Sequence, residues 1–190
     1  MSDLLQVAER YRSWGLSVFP VGGRKLPTVR WKARQKAVPT ADQLAQMMAY
    51  VHRRNGPAMG LAVAHGQVSG GLACRDFDVA DAYHEWAERH PDTAASLPTV
   101  RTPRGYHVWF RCPVDSYHKD EVGEFRANRT HYSVLPPTVR TDKDGFVYAA
   151  AVNTEEEMVE MVEASRQYQN TLETLSTLRA LMARTVQMGS

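Results

Sequence analysis

Cysteine is scarce in this chain of 190 residues: there are two, Cys74 and Cys112, far apart and in no C-x-x-C spacing. That excludes a cysteine-built zinc site and a disulfide framework, and leaves both thiols to pack as small apolar groups. No apolar run approaches membrane-spanning length, and the N-terminus lacks the charged-then-apolar pattern of a signal peptide. The expectation is a cytoplasmic protein with reduced thiols and no membrane contact. Internal repeats and low-complexity linkers are also missing. Net charge is nearly absent, with 23 Lys and Arg against 21 Asp and Glu for a total of +2. A balance so close to zero does not by itself mark a nucleic-acid binder.

What is present is an ordinary globular composition, 43% hydrophobic and 23% charged, in a length that suits one domain or two small lobes. Charge is uneven locally. Arg24, Lys25, Arg30, Lys32, Arg34 and Lys36 fall in one stretch without an acid, and Glu155, Glu156, Glu157, Glu160 and Glu163 fall in another. The basic stretch encloses Trp31, so Arg30, Trp31, Lys32 and Arg34 are candidates for phosphate contact and base stacking; the plainer alternative is a solvated loop.

Apolar spacing predicts a helix over 3–14 with Leu4, Val7, Ala8, Tyr11 and Trp14 on one face and Gly15 as its stop. A strand follows at 16–21. Thr40 and Gln43 form a capping-box pattern that opens a second helix, with Leu44, Met47, Met48 and Val51 inward. After the NGP break at 55–57 come two apolar strands, MGLAVAHG and GLACRDFD. A helix is predicted over 79–90, with Val79, Tyr83, Trp86 and Ala87 inward and Pro91 ending it. Strands are predicted at PTVRT, YHVWF, EFRA, HYSVLPP and FVYAAAV, the last from residue 146 after a KDG turn signal. From Thr154 onward the pattern is helical, with Leu172, Leu175, Met182 and Val186 on one stripe. The mixture implies an α+β fold with an antiparallel or mixed sheet.

Strand geometry directs attention to GLACRDFD. Residues two apart on a strand share a face, so Asp76 and Asp78 project together while Arg75 and Phe77 turn away. Paired carboxylates repel unless a cation lies between them, and a hard divalent ion such as magnesium or manganese suits oxygen ligands. Alternatively Asp76 simply ends the strand and Asp78 caps the helix beginning at Val79. Downstream, TPRGYHVWF sets His107 two residues after Gly105, which permits close approach of a backbone or a phosphate. His107 and Trp109 share one face, leaving Val108 and Phe110 for a core. In GEFRA, Glu124 and Arg126 share a face and supply a third carboxylate with a cation beside it; Asp115, Asp120 and Glu121 are nearby substitutes.

The order of these pieces resembles the archaeo-eukaryotic primase superfamily, and more closely its primase-polymerase (prim-pol) branch from mobile elements, phages and plasmids. WGLSVFPVGGRKLPTVRW is similar to that family's opening, MGLAVAHGQVSGGLACRDFD to its glycine-rich lead into the acidic strand, SLPTVRTPRGYH to its histidine motif, and VLPPTVR to its PPS turn. The likeness covers about residues 4 to 150. Departures stand at Arg104, where a glycine is frequent, at Glu124, where aspartate is common, at Arg129 to His131, where a glycine pair is frequent, and at Thr138 in place of serine.

The resemblance implies a catalytic domain over 1–152, built from an N-terminal αβ module packed on an RRM-like module with a mixed sheet, and a C-terminal helical extension over 153–190. It implies templated nucleotidyl transfer by a DNA primase or polymerase using two magnesium or manganese ions. Asp76, Asp78 and Glu124 would be the metal carboxylates and His107 the contact to the incoming triphosphate. Arg126, Arg104, Arg101 and Lys25 would neutralise phosphates. Partners would be a single-stranded DNA template and nucleoside triphosphates. Since no P-loop occurs, any helicase would lie on a separate protein or missing segment. Two other functions remain open: an inactive prim-pol-like module that docks nucleic acid during replication initiation, and a metal-dependent nuclease of another fold.

Overall fold

The computed structural model describes residues 3–138 and two short paired segments, 140–141 and 147–148. Helix α1 (Asp3–Ser13) buries Ala8 and Tyr11 completely and lays Leu4 and Val7 against the same core, as does Trp14 in the turn that follows. Gly15, with φ of 79°, adopts the left-handed conformation that ends a helix, and its N–H donates to the Arg12 carbonyl. Strand β1 (Val18–Val21) is buried throughout. Helix α2 (Ala41–Ala49) opens with the predicted capping box: the Gln43 N–H donates to Thr40 Oγ1 at 3.2 Å and the Thr40 N–H to Gln43 Oε1 at 3.1 Å. It ends before Val51, because His52 and Gly56 exchange two backbone hydrogen bonds of 2.9 Å and turn the chain there. Val51, expected to face inward, is instead 64% exposed.

Strand β2 (Gly60–Ala64) is fully buried and pairs on both edges, with β1 and with a strand from much later in the chain. Coverage on every side explains its unbroken apolar run. Next, β3 (Leu72–Phe77) leads into α3 (Ala80–Arg89) and α4 (Pro91–Ser96). Pro91 does more than end a helix: it occupies the first turn of α4, where its missing N–H has no bond to lose. Helix α3 buries no side chain fully; Tyr83, Trp86 and Ala87 are half-buried, and Val79, expected inward, is exposed.

The remaining strands are β4 (Thr99–Arg101), β5 (Tyr106–Arg111), β6 (Tyr117–Asp120), β7 (Gly123–Arg126) and β8 (Tyr132–Leu135), followed by the isolated pair β9 (Arg140–Thr141) and β10 (Val147–Tyr148). Strand β6 was not anticipated: its residues, YHKD, are all exposed and carry no apolar alternation, as suits a sheet edge. Five strands form one sheet in the order β4-β5-β3-β7-β6, and β8 crosses back to make β1-β2-β8. Every described ladder is antiparallel. Helices α1 and α2 pack against the three-stranded sheet, and α3 against β3.

One core joins the two sheets. Tyr11, Leu44, Leu61 and Val63 from the first layer share a cluster with Cys74 and Trp109 from the five-stranded sheet. Tyr11 also donates its hydroxyl hydrogen bond to the Pro136 carbonyl at 3.2 Å. Thr138, which stands where the resembling family has serine, accepts from the Leu61 N–H at 3.0 Å, and its methyl and hydroxyl fill the space where a Cβ at Gly60 would lie. The predicted extension over 153–190, with its acidic run and its apolar stripe, lies outside the described residues, as does most of the strand expected from 146.

Candidate active site

Three strands bring the site together. Strand β3 pairs with β5 so that Asp76 stands opposite His107, and with β7 so that Asp76 also stands opposite Glu124. Cross-strand partners share a face, so His107, Asp76 and Glu124 form a row, which Lys119 of β6 extends on the far side of Glu124. Two residues back along the strands, Trp109, Cys74 and Arg126 form the next row on that face. Gly105 finds its reason here: a Cβ at that position would lie 1.9 Å from the Phe77 carbonyl. The close approach anticipated from sequence is made by the backbone of β3.

Arg126 is the hub. Its Nη2 lies 2.7 Å from Asp76 Oδ2, its Nε donates to Glu124 Oε2 at 2.7 Å, and its Nη1 donates to Ser133 Oγ at 2.9 Å. Behind it, His65 Nε2 is 2.9 Å from the same Ser133 Oγ, and the His65 ring stacks on Trp109. His107 Nε2 lies 3.3 Å from Asp76 Oδ1, and Lys119 Nζ donates to Glu124 Oε1 at 3.2 Å. These contacts set the charges. Burial by itself would raise the Asp76 pKa, but the hydrogen bond and charge of His107, with the charges of Arg126 and Lys25, hold it below its ordinary 3.8. Glu124 is likewise held below 4.5 against its burial, by Arg126 and Lys119. Arg126 itself is raised: burial would lower it, and Asp76 and Glu124 outweigh that. His65 is pushed down to about 3, chiefly by burial and then by the charges of Arg126 and His107.

One histidine and two acids thus stand in a row across three antiparallel strands, in the order read from sequence. The family model for the N-terminal domain of bifunctional DNA primase/polymerase matches residues 8–164. The chain belongs to that family. The prim-pol match runs through both sheets and the whole of the site. A second model, for the C-terminal region of flagellar basal body rod proteins, matches residues 143–188, almost all outside the described residues. No curated protein matches the chain.

The other predicted residues of this prim-pol chain divide by position. Asp78 lies just beyond β3, half-buried, and Arg104 Nη2 reaches its Oδ1 at 2.9 Å. It does not cap α3: the N-cap is Val79, without a side-chain hydrogen bond. Arg101 pairs with Tyr106, on the sheet face opposite His107. Asp120 lies on that opposite face too, 2.7 Å from Arg75, which separates it from the acid row. Lys25 takes a positive φ of 61°, and its carbonyl accepts from the Tyr132 hydroxyl. In the basic stretch, read from sequence as a loop, Trp31–Gln35 forms a short 3-10 helix. Arg30 and Lys32 are exposed. Arg34 is buried, with Nη1 3.3 Å from Gln43 Oε1, and Trp31 stacks on Phe19 with centroids 5.2 Å apart. Trp109 shares the His107 face, as expected, and is buried there; Val108 is core as expected, while Phe110 is only half-buried, against Phe125.

His65, Ser133 and Lys119 were missed. Ser133 was legible in principle, since it alternates inward with Leu135 along HYSVL. His65 was hidden inside an apolar strand motif, and Lys119 sat in a segment without strand signal.

An all-oxygen donor set of Asp76, Asp78 and Glu124 fits the hard divalent ion that the family's chemistry uses. Among the described residues, however, no group of three or more His, Cys, Asp or Glu converges as a ready cage. The chain's own cations hold each of these acids instead.

Proposed function

We propose that the protein is a metal-dependent nucleotidyltransferase that extends or initiates a nucleic-acid strand on a single-stranded DNA template, as a primase, a polymerase or both. The observation that carries this reading is the register of β3 between β5 and β7, which sets Asp76 directly between His107 and Glu124. Asp76 and Asp78, with Glu124, would hold two magnesium or manganese ions. When bound, such ions neutralise the triphosphate and favour loss of the proton from the attacking 3′-hydroxyl.

The chain's own residues do the positioning. Arg126 fixes the carboxylates of Asp76 and Glu124 with a charge that stays on. With all three guanidinium nitrogens engaged, it orders the acids in preference to reaching for nucleotide. His107, at the edge of the acid row, turns a ring N–H toward a phosphate oxygen of the incoming nucleotide. Arg104, whose side chain is 75% exposed, and Lys25, whose charge acts on Asp76, neutralise the remaining phosphate charge. Arg30 and Lys32 contact template phosphates. In such chemistry the protein mainly orients and neutralises. The catalytic unit spans 1–152, with 153–190 as an accessory extension.

One observation favours the second reading, an inactive nucleic-acid docking module: cations of this chain already compensate every acid of the row. A gel assay separates the two. Single-stranded template is incubated with labelled nucleotides and Mn²⁺ or Mg²⁺, with and without primer, using wild type and Asp76→Ala/Asp78→Ala. Product made without primer and lost in the variant establishes a primase; product from primer alone establishes a polymerase. No product despite tight DNA binding, together with no metal-dependent nucleoside triphosphate binding, establishes the docking module. Shortening of the DNA would make the protein a nuclease.

A further inference from the structure

We infer that the cleft between the 22–30 loop and the 50–56 turn binds a single-stranded nucleic-acid segment, with Arg24, Arg30, Arg53 and Arg54 on its phosphates and Tyr50 stacked on a base. This deepens the template reading above and rests on its premise that the protein handles nucleic acid, but it does not depend on turnover.

The cleft has a volume of about 560 Å³ and is lined by Thr28, Val29, Arg30, Tyr50 and His52. Its two walls are tied together. Asn55 Nδ2 donates to the Pro27 carbonyl at 2.7 Å, and Arg24 Nη2 donates to the Arg54 carbonyl at 3.3 Å. Gly22 sits so close to the turn that a Cβ there would lie 2.1 Å from the Asn55 carbonyl oxygen. His52 Nδ1 accepts from the N–H groups of Arg54 and Asn55, which places the ring's own proton on Nε2, a donor available to a ligand. Tyr50 is 52% exposed beside this frame, an aromatic face with little to cover it.

Charge argues for the occupant. From Arg10 to Arg75, both included, the chain carries eleven Lys and Arg and one acid, Asp42. Arg24, Arg30, Arg53 and Arg54 are all exposed, and none pairs with a carboxylate among the described residues. A concave basic surface with an uncovered ring is the combination that takes phosphates and an unstacked base together. The loop forming one wall also carries Lys25, whose charge acts on Asp76, so a strand held in the cleft follows the loop that serves the active site. Trp31, the aromatic first expected to stack, is already covered by Phe19 and Tyr132.

The test is fluorescence anisotropy with labelled oligo(dT) over a series of salt concentrations, without nucleotide or metal. Tyr50→Ala should weaken binding about tenfold, while Tyr50→Phe should stay within about twofold of wild type, because the ring carries the stacking. Arg53→Gln/Arg54→Gln should reduce the slope of log affinity against log salt by about 1.4, roughly 0.7 for each lost phosphate contact. Asp76→Asn should bind as wild type does. Wild type that fails to bind, Tyr50→Ala that binds like wild type, or an unchanged slope in the arginine variant would each overturn the inference. Equal affinity for polyglutamate of matched charge would also overturn it, making the occupant an acidic polypeptide. Loss of binding in these variants with no extension activity in wild type would leave the cleft standing and remove the enzyme. Extension by wild type with no effect of the variants on binding would do the reverse.

Discussion

The two sheets of this prim-pol chain handle charge in opposite ways. On the five-stranded sheet, acids and cations alternate within contact distance, and Arg126 sits 2.7 Å from both Asp76 and Glu124. Around the three-stranded sheet, Arg24 and Arg30 of the 22–30 loop and Arg53 and Arg54 of the 50–56 turn are exposed and pair with no carboxylate among the described residues. Burial explains the difference. Asp76 is 7% exposed, and a carboxylate so placed is tolerable only with a partner. Arg53 and Arg54 stand in water, where a lone charge costs little and remains available to a ligand. A net charge of +2 hides this division, because residues 1–75 carry +8 and residues 76–190 carry −6.

The contrast can be broken most severely at its centre. Asp76→Asn keeps the shape of the row and removes the charge. Primer extension should fall by on the order of 10³ while oligo(dT) binding holds; a fall of less than about tenfold would mean that Asp76 is not a catalytic residue. Next comes Arg126→Met, which leaves two largely buried carboxylates without their common partner. It should destabilise the fold by about 3–5 kcal/mol in urea unfolding, with Arg126→Lys recovering part of that. A midpoint unchanged in Arg126→Met would show the ion cluster to be dispensable to folding.

The third test uses pH. His65 titrates near 6.5 when unfolded and near 3 when folded, so the unfolded chain takes up the proton first and acid destabilises the protein across that interval. His131, held below 6.5 mainly by burial, acts with the same sign. Asp76 and Glu124 are depressed below 3.8 and 4.5, so their stabilising contribution is present above those values and is lost only as pH falls further. Between pH 6 and 5, unfolding free energy should therefore drop with a slope of up to about 1.4 kcal/mol per pH unit from His65, and His65→Gln should flatten it. A slope identical in the variant would place the titration elsewhere. The smallest effect belongs to the exposed pair of Arg104 and Asp78: Arg104→Ala should cost under about 0.5 kcal/mol, since water screens it. A larger loss would mean that this pair is part of the buried cluster.

Much of the fold was legible because its signals are local. The capping box at Thr40, the glycine stop at Gly15 and the alternation in YHVWF each depend on a few neighbouring residues. Strand β6 was not legible, because an exposed edge strand needs no apolar face and YHKD shows none. Within the site, Asp76, His107 and Glu124 were recognisable as residue types on strands, and Arg126 as a cation sharing the Glu124 face. Arg101 and Trp31 show where such reasoning stops. Whether a side chain on a short strand or loop faces a ligand or a neighbour depends on elements distant in sequence: Tyr106 beside Arg101, Phe19 and Tyr132 around Trp31.

By itself, the sequence determined the capped helices and the buried strands, the two-residue periodicity that puts Asp76 and Arg75 on opposite faces, and the small residue at position 105 that lets backbone pass close. Tertiary structure alone decided which strands lie side by side and in which register. A shift of one residue between β3 and β7 would turn Glu124 away from Asp76 and part Asp76 from Arg126, because neighbouring residues of a strand face opposite sides of the sheet.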